Sequence, residues 1–197
     1  MLNNIIKYFF IIFLILQSKS FATSPSTFVQ LTVNKASNIL NQNIPKAEKM
    51  KKLESIAEQV VDIKGIAYYS LGSHRKNLSN QKKVEYLNTF KKYFLKSFSS
   101  RLAQYSDPRI IVNSEKKLNE KYTIVSSSLV ATGKTPEVKL DWRIITKNID
   151  NPLIIDVTIE GVSLAKVQRE EFNSIMQNNN QNIDVLIINL KEFVNKN

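Results

Sequence analysis

Apolar residues recur every three or four positions along the first half of the chain and every two positions along much of the second half. The change falls near residue 107. The first spacing marks one face of a helix and the second a strand covered on one side, so the pattern predicts an α+β fold in which helices precede an antiparallel sheet. Val29, Val33, Ala36 and Leu40 mark a first amphipathic helix, with Asn41 to Asn43 as its exit. Pro45, Met50, Leu53, Ala57 and Val60 mark a second, supported by Glu48 four residues before Lys52. Gly65 and Gly72 punctuate a short helical piece containing Ile66, Ala67, Tyr69 and Leu71. Ser79 can cap the next helix, whose line Leu87, Phe90, Phe94, Phe98, Leu102 and Tyr105 holds helical spacing over about five turns before Pro108 stops it. Its opposite face, with Lys83, Asn88, Lys91, Lys92 and Ser99, reads as polar.

Alternation begins at Ile110 and Val112, continues from Tyr122 to Ala131, and turns at Gly133 to Pro136. It resumes through Leu140, Trp142 and Ile144 and again through Ile155, Val157 and Ile159. Ser163 can cap a helix with Leu164, Val167, Phe172 and Ile175. An Asn-rich loop at 178 to 182 leads to a last helix with Ile183, Leu186, Leu190 and Val194. Helices on both sides of the sheet in sequence can fold against its apolar face.

The N-terminus has a different character. Lys7 precedes the uncharged run from Tyr8 to Leu16, the polar stretch Gln17 to Ser20, and then Phe21 and Ala22. Ser20 and Ala22 fit a small-x-small cleavage pattern, and the run is shorter than the roughly 20 residues that cross a bilayer. Residues 1–22 are therefore expected to be a cleaved signal peptide. Residues 23–197 are read as a single domain, with a helical part at about 26–106, a sheet at about 107–160 and C-terminal helices at about 163–195.

Lys and Arg outnumber Asp and Glu by 28 to 17, but the surplus is spread along the chain, which reads as a basic solvated surface rather than a nucleic-acid stripe. The sequence has no cysteine, so disulfides, thiolate metal sites, a Cys nucleophile and a lipobox within it are excluded. His74 is the single histidine and reads as an exposed loop residue, too isolated for a zinc site or a Ser triad. Four glycines, at 65, 72, 133 and 161, allow no phosphate-binding fingerprint. Asp141, Asp156 and Glu160 fall on the polar sides of strands. No catalytic residue, metal ligand or cofactor is expected. What remains is an excess of apolar and aromatic side chains on the long helix and the sheet, which could be a plain core or could wall a cavity.

Two stretches resemble the MlaC family of periplasmic phospholipid-binding proteins, the toluene-tolerance auxiliary component of the Mla lipid transport system. The first is Val61-Asp62-Ile63-Lys64-Gly65-Ile66-Ala67-Tyr68-Tyr69-Ser70-Leu71-Gly72, followed by the helix ending Ser100-Arg101-Leu102-Ala103-Gln104-Tyr105-Ser106. The second is Val138-Lys139-Leu140-Asp141-Trp142-Arg143 with Ile155-Asp156-Val157-Thr158-Ile159-Glu160-Gly161-Val162-Ser163-Leu164. The likeness covers nearly all of the chain after residue 22.

The resemblance implies a nuclear-transport-factor-like curved sheet joined to a helical subdomain and enclosing an apolar cavity for acyl chains. It implies a non-enzymatic periplasmic carrier that shuttles phospholipid between outer and inner membranes and maintains outer-membrane lipid asymmetry. The partners it implies are an inner-membrane ABC transporter complex with a mammalian-cell-entry-type subunit and an outer-membrane lipoprotein–porin complex, with no nucleic acid. The expected cavity lining is Phe94, Phe98, Leu102, Trp142, Val157, Ile159, Val162 and Leu164, with Arg101 and Arg143 near the headgroup. Two other readings stay open: a small hydrolase or isomerase using Asp141 or Asp156 as base in the same cavity, and a structural protein holding anionic membrane surfaces through its lysines.

Overall fold

The computed structural model describes residues 23–131, 136–148 and 150–196. The signal peptide expected at residues 1–22, and the core of the turn expected at Gly133, lie outside the described residues.

Four helices come first. Ser24 caps α1 (Pro25–Leu40) by accepting from the Thr27 amide, with Pro25 in the first turn where its missing N–H costs nothing. Helix α2 (Lys46–Val60) carries Glu48 in its first turn. Asp62 caps α3 (Ile63–Leu71) through the Gly65 amide at 2.8 Å. A 3-10 turn at Gly72–Asn77 leads to α4 (Asn80–Leu102), capped by Ser79 as its sequence predicts.

Strands β1 (Ile110–Lys117), β2 (Tyr122–Leu129), β3 (Val138–Ile145), β4 (Leu153–Ile159) and β5 (Val162–Ser163) form one antiparallel sheet in sequence order. Glu160 and Gly161 both have positive φ, the backbone a two-residue hairpin needs to join β4 to β5. Helices α5 (Leu164–Asn178) and α6 (Ile183–Asn195) close the chain.

Register irregularities bend the sheet. The β1–β2 pairing skips Asn113, and the β3–β4 pairing skips Ile155, because Arg143 pairs with Asp156 whereas Ile144 pairs with Ile154. A bulge of this kind kinks its strand and adds twist, which curves the sheet. The bulge also corrects the expected face of β4: the buried residue is Ile154, not Ile155, since one inserted residue moves the preceding side chains to the opposite side.

Two apolar clusters result. One joins α3, α4, α5 and α6 around Tyr86, Phe90, Phe172, Met176, Leu186 and Ile187. The other joins α1 to the sheet through Val29, Val33, Val125, Ile144 and Ile154. Val61, in the link between α2 and α3, packs against both, and its bridge to Ile154 docks the helical part onto β4.

Three further expectations are corrected. Helix α4 ends at Leu102, before Tyr105, which is exposed; the exit segment is instead tied to α1 by Asn41 on Asp107 and Ser37 on the Pro108 carbonyl. Ser99, placed on the polar face, is fully buried and donates to Glu54 of α2 at 2.9 Å. In α5 the buried positions are Ala165, Phe172 and Met176, while Leu164 and Val167 face outward.

Asp156 joins sheet to helix, accepting from the Ser163 hydroxyl at 2.6 Å and the Ala165 amide at 3.0 Å at the start of α5. Asp156→Ala is expected to lower the unfolding free energy by about 1–2 kcal/mol, measured by urea denaturation. The buried Tyr86 phenol donates to the Ala67 carbonyl, and burial raises its pKa far above the ordinary tyrosine value. The unfolded chain therefore releases this proton near pH 10 while the folded chain retains it, so stability falls as pH rises above about 10. Tyr86→Phe is expected to make that alkaline decline shallower, read from unfolding free energies between pH 8 and 11.

Candidate functional site

The long helix and the sheet share α3 as a packing partner and take their others from different places. Helix α4 packs against α2, α3 and α6, whereas the sheet is covered by α1 on β1 and β2 and by α3 and α5 on β4. Some apolar residues of each are nevertheless only half-buried, Phe94 packing against the helical cluster and Trp142 and Val157 against the α1–sheet cluster. On α4 these are Phe94, Phe98 and Leu102, the two phenyl rings stacked with centroids 6.0 Å apart and planes 7° from parallel. On the sheet they are Trp142 of β3 and its register partner Val157 of β4. Val125, opposite Trp142 on β2, is fully buried beneath α1.

The indole of Trp142 is fixed. Its N–H donates to the Ser127 hydroxyl on β2 at 2.8 Å, and that hydroxyl in turn reaches the Leu140 carbonyl at 3.4 Å. A ring anchored at its polar edge leaves its apolar body as a platform.

Ile159, Val162 and Leu164 were expected to line an enclosed cavity; they are 36%, 53% and 45% exposed instead. Ile159 and Val162 pair at the last hairpin, beyond which the sheet has no further strand to cover them, and Leu164 opens α5 on its outward side. With Val167 they form an exposed apolar surface next to the half-buried Val157 strand.

Two recesses stand out. One of about 340 Å³ lies at the end of α4 against Arg101, Gln104 and Tyr105, so that Arg101 sits one turn beyond Phe98. The other, of about 310 Å³, lies between the 3-10 turn and α5 and shares no residue with the expected lining. Arg143 is exposed on β3, on the side of the strand opposite Trp142.

The acids weighed as catalytic bases are engaged structurally. Asp141 accepts from Ser126 at 2.6 Å on the exposed side of the sheet, and Asp156 spends both oxygens on the start of α5. Among the described residues no His, Cys, Asp and Glu grouping could hold a metal, and no buried side-chain polar atom lacks a hydrogen-bond partner. His74, expected in an exposed loop, is half-buried on the 3-10 turn with its Nε2 3.1 Å from Asn173 Oδ1.

Sequence reasoning missed the Asp156 cap, the Ser127–Trp142 bond and Tyr93, whose phenol donates to Gln168 at 3.0 Å and joins α4 to α5. Burial, the largest influence, raises the Tyr93 pKa, which keeps it a neutral donor. Only the Ser-rich stretch 126–128 opposite Lys139 to Asp141 could have signalled any of these contacts, since it places hydroxyls within a strand.

A curved five-stranded antiparallel meander packed against helices defines an α+β class of domain. The family model for the MlaC protein matches residues 30–192, and the chain belongs to that family. Among solved structures it is similar to the phospholipid-binding protein from Ralstonia solanacearum, determined in complex with a phospholipid. The TM-score is 0.69 at 15% identity, covering 84% of this chain and 94% of that one, which establishes a shared fold. No curated protein matches the sequence.

Ser127→Ala leaves the indole N–H of Trp142 without its acceptor. The variant is expected to lose about 1 kcal/mol of stability in urea denaturation followed by Trp142 fluorescence.

Proposed function

We propose that this protein is a periplasmic phospholipid carrier. The observation that carries this reading is that apolar side chains of α4 and of the sheet, Phe94, Phe98 and Leu102 on the one and Trp142 and Val157 on the other, stay half-buried. A surface of this kind in a chain of the MlaC family is suited to acyl chains, and the similar fold from Ralstonia solanacearum was solved holding a phospholipid.

The physical need is large. Each methylene exposed to water costs about 0.8 kcal/mol, so a two-chain lipid crossing an aqueous space alone faces a barrier on the order of tens of kcal/mol. A dry apolar cleft lowers that barrier without making or breaking a bond, which fits a non-enzymatic role. In this reading the exposed Ile159, Val162 and Leu164 border the cleft, and Arg101, one turn from Phe98, meets a headgroup phosphate; Arg143 serves less directly, since it stands across the strand from Trp142. Among the described residues no helix is long and apolar enough to cross a membrane. Residues 1–22 serve as the export signal, and the carrier exchanges lipid between an inner-membrane ABC transporter complex and an outer-membrane lipoprotein–porin complex, preserving outer-membrane asymmetry.

Native mass spectrometry of protein purified from the periplasm is expected to show a co-purifying two-chain phospholipid whose retention survives high salt. Phe98→Asp and Val157→Asp are expected to remove it while export and the circular dichroism spectrum stay intact. Unchanged lipid content in both variants would place the acyl chains elsewhere. Trp142 is the single tryptophan, and delipidation is expected to red-shift its emission.

A further inference from the structure

We infer that the 310 Å³ recess between the 3-10 turn and α5 is a phosphate-binding site separate from the acyl-chain surfaces. Its walls are Tyr69, Gly72 and His74 on one side and Lys166, Arg169, Glu170 and Asn173 on the other.

Its cations are assembled and only partly neutralised. The guanidinium of Arg169 lies over the Tyr69 ring, 5.1 Å from the centroid, and among the described residues it has no carboxylate partner. Gly72 makes room for it. A Cβ at that position would stand 3.2 Å from two guanidinium nitrogens, and its φ of +57° is one that other residues rarely adopt. Stacking on an aromatic face leaves the edge N–H groups of an arginine available, in the planar fork that suits phosphate oxygens.

Lys166 is in the first turn of α5, where the helix dipole disfavours a cation, and its carboxylate neighbour Glu170 is 3.7 Å away with both side chains about two-thirds exposed. An anion in the recess offsets that placement. The imidazole of His74 is held against the same space by Asn173. The carbonyl end of α3 also opens here and attracts positive charge, but Arg75 already serves it, donating to the Tyr68 carbonyl at 3.4 Å. Arg169, Lys166 and His74 are thus left to converge on one tetrahedral anion. That anion is a phosphate group, carried by a lipid headgroup at a membrane surface or free in solution.

The test uses the chain from residue 23 onward, with inorganic phosphate and glycerol phosphate in one arm and phosphatidylglycerol vesicles in the other. Binding is followed by the NMR resonances of the Arg169 Nε–H and the His74 ring, and by vesicle flotation. Arg169→Gln and Lys166→Gln are each expected to weaken binding roughly tenfold, whereas Lys51→Gln, on exposed α2 surface, leaves it unchanged. Thermal melts by circular dichroism verify that each variant is folded. Lipid retention by native mass spectrometry is expected to be unchanged, so loss of this site is distinguishable from loss of the carrier cleft. Arg169-dependent binding of the soluble phosphates identifies a free ligand, and dependence seen with vesicles alone identifies a headgroup. The inference is overturned if folded Arg169→Gln and Lys166→Gln bind both probes like the parent chain, if no probe binds at 10 mM, or if polyglutamate occupies the recess as readily as phosphate.

Discussion

Everything in this fold hangs on how little its two apolar clusters share. Val61 packs against both, pinned by pairing with Ile154 and by the Asp62 amide donating to the Ile154 carbonyl at 3.0 Å. Hydrophobic burial is non-directional, and a chain of this composition would otherwise collapse its aromatic helix onto its sheet. It is prevented because each partner is already satisfied elsewhere. Helix α4 commits Tyr86 and Phe90 to α3, α5 and α6, while the sheet commits Val125, Ile144 and Ile154 to α1. Phe94, Phe98 and Leu102 on the helix and Trp142 and Val157 on the sheet are left half-buried.

Polar contacts tie the helices to one another. Tyr93 reaches Gln168 across α4 and α5. Lys82 bridges Glu85 and Asp184, and Lys191 pairs with Glu85, tying α4 to α6 at the end away from Phe98. The Asp184 and Glu85 contacts raise the Lys82 pKa, and the Lys191 and Lys82 contacts lower that of Glu85. These pairs are exposed to solvent and contribute little individually, so their value is in fixing where the helices lie. The same division appears in the chemistry. The carboxylates that might have acted as bases serve the scaffold, and the Arg169 guanidinium of α5 has no carboxylate partner among the described residues.

Much of this was legible in the residues because it depends on local chemistry. Ser79 and Ser163 cap the helices their positions predicted, Pro45 stands at a helix start, and alternation through Leu140, Trp142 and Ile144 located β3. The features that stayed hidden depend on distant partners. A bulge at Ile155 leaves no mark in an isoleucine pair, yet it decides which of the two is buried. Ser99 lies inside only because Glu54 of another helix waits for it. Leu164 and Val167 keep helical spacing with Phe172 but face outward, because α5 turns Ala165 toward its neighbours. Of the expected lining, Phe94, Phe98, Leu102, Trp142 and Val157 are the half-buried set, and Ile159, Val162 and Leu164 stand further out.

The bulge at Ile155 immediately precedes the carboxylate that starts α5. Sheet bend and helix direction therefore cannot be adjusted independently: the kink works as an elbow whose forearm is α5. A change in curvature beside Val157 would swing Leu164 and Val167 with it, so the bend of the sheet and the outer surface of α5 form one mechanical unit.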